Sequence, residues 1–306
     1  MRVLQHSQEG ITNMSKQPRS LVGQVVAITG AARGIGRATA TALVREGAKV
    51  AIGDIDHALA EKTASEIGGG AIGLPLDVTD RNSFEAYLDA IEARLGPVDV
   101  LINNAGIMLL GDFFEENPED ARRQIEINIW GVWNGSQIAG KRFKRRGRGH
   151  LINVASMAGK SGFPAAATYC ATKHAVVGLS ESIRGELRGS GVEVSVVMPS
   201  IVNTELASGL GSARFIKNVD PQDVAAEIVD ALKEPRFDVF VPRSNGALVR
   251  SMAIMPRGLN ESMSRFFRAD RVLVEVDDKA RLAYQQRATG GLGSGSKPGI
   301  GDGSNN

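Results

Sequence analysis

Cysteine is nearly missing from this chain of 306 residues: Cys170 stands alone. That excludes an intrachain disulfide and fits a reducing compartment. Histidine is sparse as well, and His6, His57, His150 and His174 lie without metal-ligand spacing, so no catalytic metal is expected. Aromatic residues make up only 5% of the chain, so its core must be chiefly aliphatic. No apolar run approaches the roughly 20 residues that a bilayer requires. The opening MRVLQHSQEGITNMSKQPRS lacks the apolar stretch of a secretory signal, and a soluble, cytoplasmic protein is expected. Neither sign of charge dominates: the formal net charge is +2, which supplies no bulk argument for nucleic acid.

What is present is a regular alternation. Strands are expected at Gln24–Thr29, Lys49–Gly53, Ala71–Leu76, Val98–Ile102, His150–Ala155, Glu193–Met198 and Val239–Val241. Several are apolar without strict alternation, as in strands covered on both faces. Helical patterns fall between them at Ile35–Glu46, Ala58–Ile67, Phe84–Leu95, Ala121–Arg145 and Thr168–Arg188. Strand–helix–strand repetition implies parallel strands with right-handed crossovers. The expected class is α/β, a doubly wound parallel sheet in a single domain over 21–242. Residues 1–20 read as a disordered N-terminus, 243–287 as a helical C-terminal extension, and 288–306 as a flexible Gly/Ser-rich tail. Within the extension, nine Arg or Lys and five Asp or Glu accompany apolar residues near helical spacing, with a break expected at Pro256. Packing against the domain, a neighbouring subunit or the cleft is the expected role; peripheral membrane contact through 243–271 is the alternative.

The first strand runs into Thr29-Gly30-Ala31-Ala32-Arg33-Gly34-Ile35-Gly36 and then a helix. Glycines let the backbone turn and approach a pyrophosphate, and the helix start offers free N–H groups and a positive dipole end. Gly30, Arg33, Gly34, Ile35 and Gly36 are therefore expected to bind a dinucleotide. Asp54 closes the second strand, where a carboxylate accepts from the adenosine ribose and repels a 2′-phosphate. That favours NAD over NADP. Arg33 pulls the other way, since its guanidinium could pair with that phosphate.

These features resemble the short-chain dehydrogenase/reductase family over roughly Gly23 to Val241. Further motifs carry the resemblance: Asp77 with Val78 on the adenine side, Asn103-Asn104-Ala105-Gly106 after the fourth strand, Asn128, Ser156 and Tyr169-Cys170-Ala171-Thr172-Lys173. The resemblance implies a Rossmann-type fold, a nicotinamide cofactor and alcohol–carbonyl interconversion. It implies cofactor contacts from Asp77, Val78, Asn104, Ala105 and Gly106, and from Pro199, Val202 and Thr204 near the nicotinamide. One departure is Pro199-Ser200 where the family often has Pro-Gly. It also implies a homodimer or homotetramer through the helices of Ala121–Arg145 and Thr168–Arg188.

Tyr169 and Lys173 are four apart in an expected helix and share a face. A free phenol is too basic to accept a proton at neutral pH; a nearby ammonium lowers its pKa. Tyr169 is thus the expected general acid/base and Lys173 its partner and a ribose ligand. Ser156 would polarise the substrate oxygen, and Asn128, by resemblance, would support a water beside Lys173. Met108–Phe114, Met157–Phe163 and Glu205–Val219 are expected to line the pocket with Met108, Leu109, Leu110, Phe113, Phe114, Met157, Phe163, Leu206, Leu210 and Phe215, which suits a small hydrophobic alcohol or ketone. Two other readings stay open: an NADPH-dependent carbonyl reductase, and a dinucleotide-binding sensor or scaffold without turnover. The basic run Lys141–Arg146 with Arg148 reads as a solvated helix end rather than a nucleic-acid surface.

Overall fold

The computed structural model describes residues 18–210, 218–256, 258, 262, 273–274 and 276–289. Seven parallel strands form one sheet in the order β3-β2-β1-β4-β5-β6-β7. They are β1 (Val25–Thr29), β2 (Lys49–Asp54), β3 (Ile72–Pro75), β4 (Val100–Asn103), β5 (Gly149–Val154), β6 (Val192–Pro199) and β7 (Asp238–Val241). All seven expected strands are present, with ends shifted by one or two residues. The chain order reverses between β1 and β4, so the loops leaving these neighbours part there and open a crevice at their carboxyl ends.

Helices cover both faces. Val26, Ile28, Val50, Ile52 and Ile102 pack one way, against α1 (Gly34–Arg45), α2 (His57–Ile67) and α7 (Pro221–Lys233). Val25, Ala27, Ala51 and Leu101 pack the other way, against Phe84, Leu88, Ile91, Ile138 and Phe143 of α3 (Arg81–Leu95) and α5 (Gly131–Arg146). Alternate strand residues thus feed opposite apolar layers, which is why the strands read as unbroken apolar runs. Side chains set the helix starts: Asp56 accepts from Leu59 N, Asp80 from Asn82 N, and Asn117 from Glu119 N ahead of Pro118. Gly147 ends α5 in the left-handed region.

Two expectations need correction. The pattern over Ala121–Arg145 is not one regular helix: α4 (Pro118–Ile125) passes through a π turn, Glu126–Trp130, into α5. The wider turn carries Asn128, fully buried, to the Ile107 backbone and Thr172. The basic run is not simply solvated. Arg142 reaches Asp89 at 2.6 Å and Glu92 at 3.1 Å, Arg146 bonds the Val98 carbonyl, and Arg148 lies 3.7 Å from Asp99. These guanidiniums tie α5 to α3 and to the approach of β4.

After β7, α8 (Asn245–Ile254) packs on it, Gly246 against the Phe240 ring, and stops before Pro256. A further helix, Asp278–Ala288, the last among the described residues, lies at the crevice. Most of 257–272 lies outside the described residues; of the span read for membrane contact, 243–256, 258 and 262 are described. Among the described residues no helix is long and apolar enough to cross a membrane.

Candidate active site

The crevice is a cavity of about 1110 Å³ running from the β1–α1 turn to the last helix. At one end Gly30 and Gly34 take φ of +61° and +51°. A Cβ on Gly30 would meet Ala105 Cα at 2.7 Å, and one on Gly36 would meet Ala31 Cα at 2.6 Å. Both positions therefore exclude a side chain. Arg33, the N-cap of α1, makes no side-chain cap bond, so the first-turn amides keep their hydrogen-bonding capacity. The turn is clamped to β4: Thr29 Oγ1 accepts from Asn104 N and Ala105 N, both at 3.0 Å, and Asn104 Nδ2 donates to the Thr29 and Gly30 carbonyls. A pyrophosphate fits such a cradle.

Asp54 stands at the end of β2 on the cavity wall, accepting from Ala32 N at 3.1 Å and Asp56 N at 3.2 Å. It is not the cap of α2; Asp56 is. Arg33 already has carboxylate partners, Asp56 at 3.0 Å and Glu205 at 3.7 Å. Glu205 in turn holds Arg287 of the last helix at 2.8 Å. Asp77, Val78, Gly106, Pro199, Val202 and Thr204 line the same cavity. Asp77 accepts from Thr79, both N and Oγ1. Ser200 donates its N–H to the Val241 carbonyl without a positive φ, so the departure from Pro-Gly needs no glycine here.

At the other end sit Ser156, Tyr169 and Lys173. Ser156 follows β5 and accepts from Ala158 N at 3.1 Å. Tyr169 and Lys173 share the buried face of α6 (Ala167–Glu186). Lys173 Nζ donates to the Val154 carbonyl at 3.0 Å and lies 5.7 Å from the Tyr169 ring centroid. Burial lowers Lys173 to about 8. The expected drop of Tyr169 is not what the chain alone produces. Burial pushes its phenol well above the ordinary value, against a smaller downward pull from the Ser156 hydroxyl and Arg281. Asn128 is committed: its Oδ1 accepts from Ile107 N, and its Nδ2 donates to Ile107 O, each at 2.8 Å, and also to Thr172 Oγ1. Gly106 lies between it and Lys173, where a Cβ would be 3.1 Å from Asn128 Oδ1 and 3.5 Å from Lys173 Nζ.

The expected pocket residues divide. Met108, Met157, Phe163, Leu206 and Leu210 line the cavity; Leu109, Leu110, Phe113 and Phe114 do not, and Phe114 is 89% exposed. Phe215 lies outside the described residues. Sequence reasoning missed Met252, Leu273 and Tyr284, which also line it, and Arg281 behind it. Nothing in the local sequence of the extension says where it docks.

Residues 24–214 match the family model described as short chain dehydrogenase. A probable oxidoreductase EphD of Mycobacterium tuberculosis is 38% identical over 270 residues, covering 80% of this chain and 46% of that protein, so the chain spans less than half of that relative. A sorbitol dehydrogenase of Cereibacter sphaeroides is 41% identical over 196 residues, covering 64% of this chain and 76% of that one. Among solved structures, a short chain dehydrogenase/reductase from Burkholderia phymatum in complex with NAD superposes with a TM-score of 0.70 at 28% identity, covering 76% of this chain and 93% of that one.

Proposed function

The chain belongs to the short chain dehydrogenase family, and on that premise we propose that it is an NAD-dependent oxidoreductase interconverting a hydrophobic secondary alcohol and its ketone. The observation that carries this is one continuous cavity joining the glycine cradle to Ser156, Tyr169 and Lys173. A bound nicotinamide dinucleotide supplies the hydride acceptor or donor. The α1 amides with Gly30, Arg33, Gly34, Ile35 and Gly36 would hold its pyrophosphate, Asp54 would hold its adenosine ribose, and Asp77 and Val78 would border its adenine. Asn104, Ala105 and Gly106 form the floor; Pro199, Val202 and Thr204 border the nicotinamide end. Lys173 Nζ is placed to bond the adjoining ribose, and Asn128 fixes Ile107 and thereby the backbone beside Lys173.

Ser156 Oγ donates to the substrate oxygen and Tyr169 Oη exchanges the proton with it: taken from the hydroxyl in oxidation, given to the carbonyl oxygen in reduction. The apolar wall from Met108 to Leu273 supports a hydrophobic substrate. Support for NAD over NADP is that Asp54 ends β2 on the cavity wall, where its carboxylate would accept from a ribose and repel a 2′-phosphate, and that Arg33 is already paired with Asp56 and Glu205. Exposed Ile125 and Trp130, the latter stacked on Trp133 at 4.6 Å, support assembly of a homodimer or homotetramer through α4, α5 and α6.

The test is Tyr169→Phe. It should bind NADH as the parent does while losing at least about 100-fold in turnover, followed by NADH absorbance over a panel of secondary alcohols. Near-parental turnover would overturn the assignment of the proton-transfer group. Tighter NADPH than NADH binding would overturn the cofactor choice alone.

A further inference from the structure

The Asp278–Ala288 helix brings a second phenol to the cavity. Tyr284 shares the wall with Tyr169, Ser156 and Met108. Its hydroxyl oxygen accepts from Met108 N at 2.8 Å, and among the described residues its own proton goes to no acceptor. A hydroxyl can both donate and accept. With a fixed amide on one lone pair, the proton must turn elsewhere. The surrounding wall is apolar, built by Met108, Phe163, Leu206, Leu210 and Leu273. A donor left unsatisfied in such surroundings costs free energy that an acceptor on a ligand would recover.

The phenol is also held in place. Arg281 is fully buried, and its guanidinium carbon lies 5.0 Å from the Tyr284 ring centroid. Its Nη1 donates to the Leu206 and Ser208 carbonyls at 3.0 and 3.1 Å, and its Nη2 to the Met108 carbonyl at 2.5 Å. Met108 is thus gripped twice, its N–H by Tyr284 and its C=O by Arg281. Asp277 N to Gly209 O and Ser208 Oγ to Ala280 O, both 2.8 Å, fasten the same loop to the helix. Side chains pre-set in this way recognise a ligand without an ordering cost at the moment of binding.

We propose that Tyr284 is a specificity-determining residue that donates to a second oxygen of the substrate, distinct from the reacting oxygen at Ser156 and Tyr169, with Arg281 as its positioning residue. The preferred substrates are therefore hydrophobic alcohols or ketones bearing a further hydroxyl or carbonyl oxygen. The inference rests on the reading of Tyr169 and Ser156 as the reacting end of the cavity.

The experiment compares cyclohexanol with 1,2-, 1,3- and 1,4-cyclohexanediol, using the full chain and NAD⁺. The parent should favour at least one diol over cyclohexanol in kcat/KM. Tyr284→Phe, which keeps the ring, should lower that diol-to-cyclohexanol ratio by roughly 10- to 100-fold. Arg281→Lys should lower the same ratio, chiefly through the KM of the diol. An unchanged ratio in Tyr284→Phe, or a parent that favours no diol, overturns the proposal. Calorimetric binding of the same probes to the NADH-loaded chain, which has no hydride acceptor for them, gives the ratio independently of turnover. Active Tyr169→Phe would instead sink the proton-transfer reading, while the binding ratio still judges Tyr284.

Discussion

Buried ionisable side chains are where single residues show most. His150 is enclosed at the start of β5, with Nε2 2.9 Å from Ser195 Oγ; burial, with a smaller push from Arg19, lowers it to about 3. A histidine depressed this far stabilises the fold fully above its unfolded pKa of about 6.5, and the contribution is lost as pH falls toward 3. Replacing it with leucine should flatten the fall of Tm between pH 6.5 and 3, where the parent loses on the order of a few kcal/mol. A parallel loss in parent and variant would refute the assignment. Tyr169 carries the opposite sign. A phenol raised by burial keeps its proton at neutral pH, so it is poised to give one. Alcohol oxidation should therefore speed up with rising pH, by up to tenfold per unit, while ketone reduction stays flat before declining. Initial rates in both directions from pH 6 to 10 would show it; oxidation independent of pH would contradict it. Residues in short local motifs were legible in advance: Gly30, Asp54, Tyr169 and Lys173 all line the cavity. Arg281 was not, because a lone arginine in a basic stretch carries no sign of burial.

Turns and helices set how much change each segment tolerates. Gly36 has no room for a methyl group: Ala31 Cα would be 2.6 Å away and Asn104 Nδ2 2.7 Å. Gly36→Ala should weaken NADH binding at least about tenfold by fluorescence titration and lower Tm, through overpacking costs of about 1–3 kcal/mol. Gly178, inside α6, meets nothing within 4 Å, so Gly178→Ala should stabilise by about 1 kcal/mol, the ordinary helix difference. If the two variants behaved alike in binding and melting, the cradle would not be as tight as described. The long helical pattern over Ala121–Arg145 was visible, but the π turn inside it was not. Apolar periodicity records which face is buried and is insensitive to one extra residue in a turn. α7 also has no counterpart among the expected helices, although Asp220 and Asp223 form a capping box at its start, with Pro221 in its first turn.

At the scale of the molecule, the sheet was the most legible feature, because strands buried on both faces leave continuous apolar runs. The placement of the C-terminal helix was the least legible, since docking depends on Met108 and Leu206–Ser208 far away in the sequence. Assembly belongs to this scale. Trp130→Glu should shift sedimentation toward a lighter species, and an unchanged mass would place the contact elsewhere. The stack offers its own way of watching that event. Trp130 and Trp133 are the chain's only tryptophans, and they lie face to face with planes 2° apart. Indole emission from this protein therefore comes from one patch of its surface. Dilution followed by fluorescence alone, with no dye attached, would report whether that patch meets water or another copy.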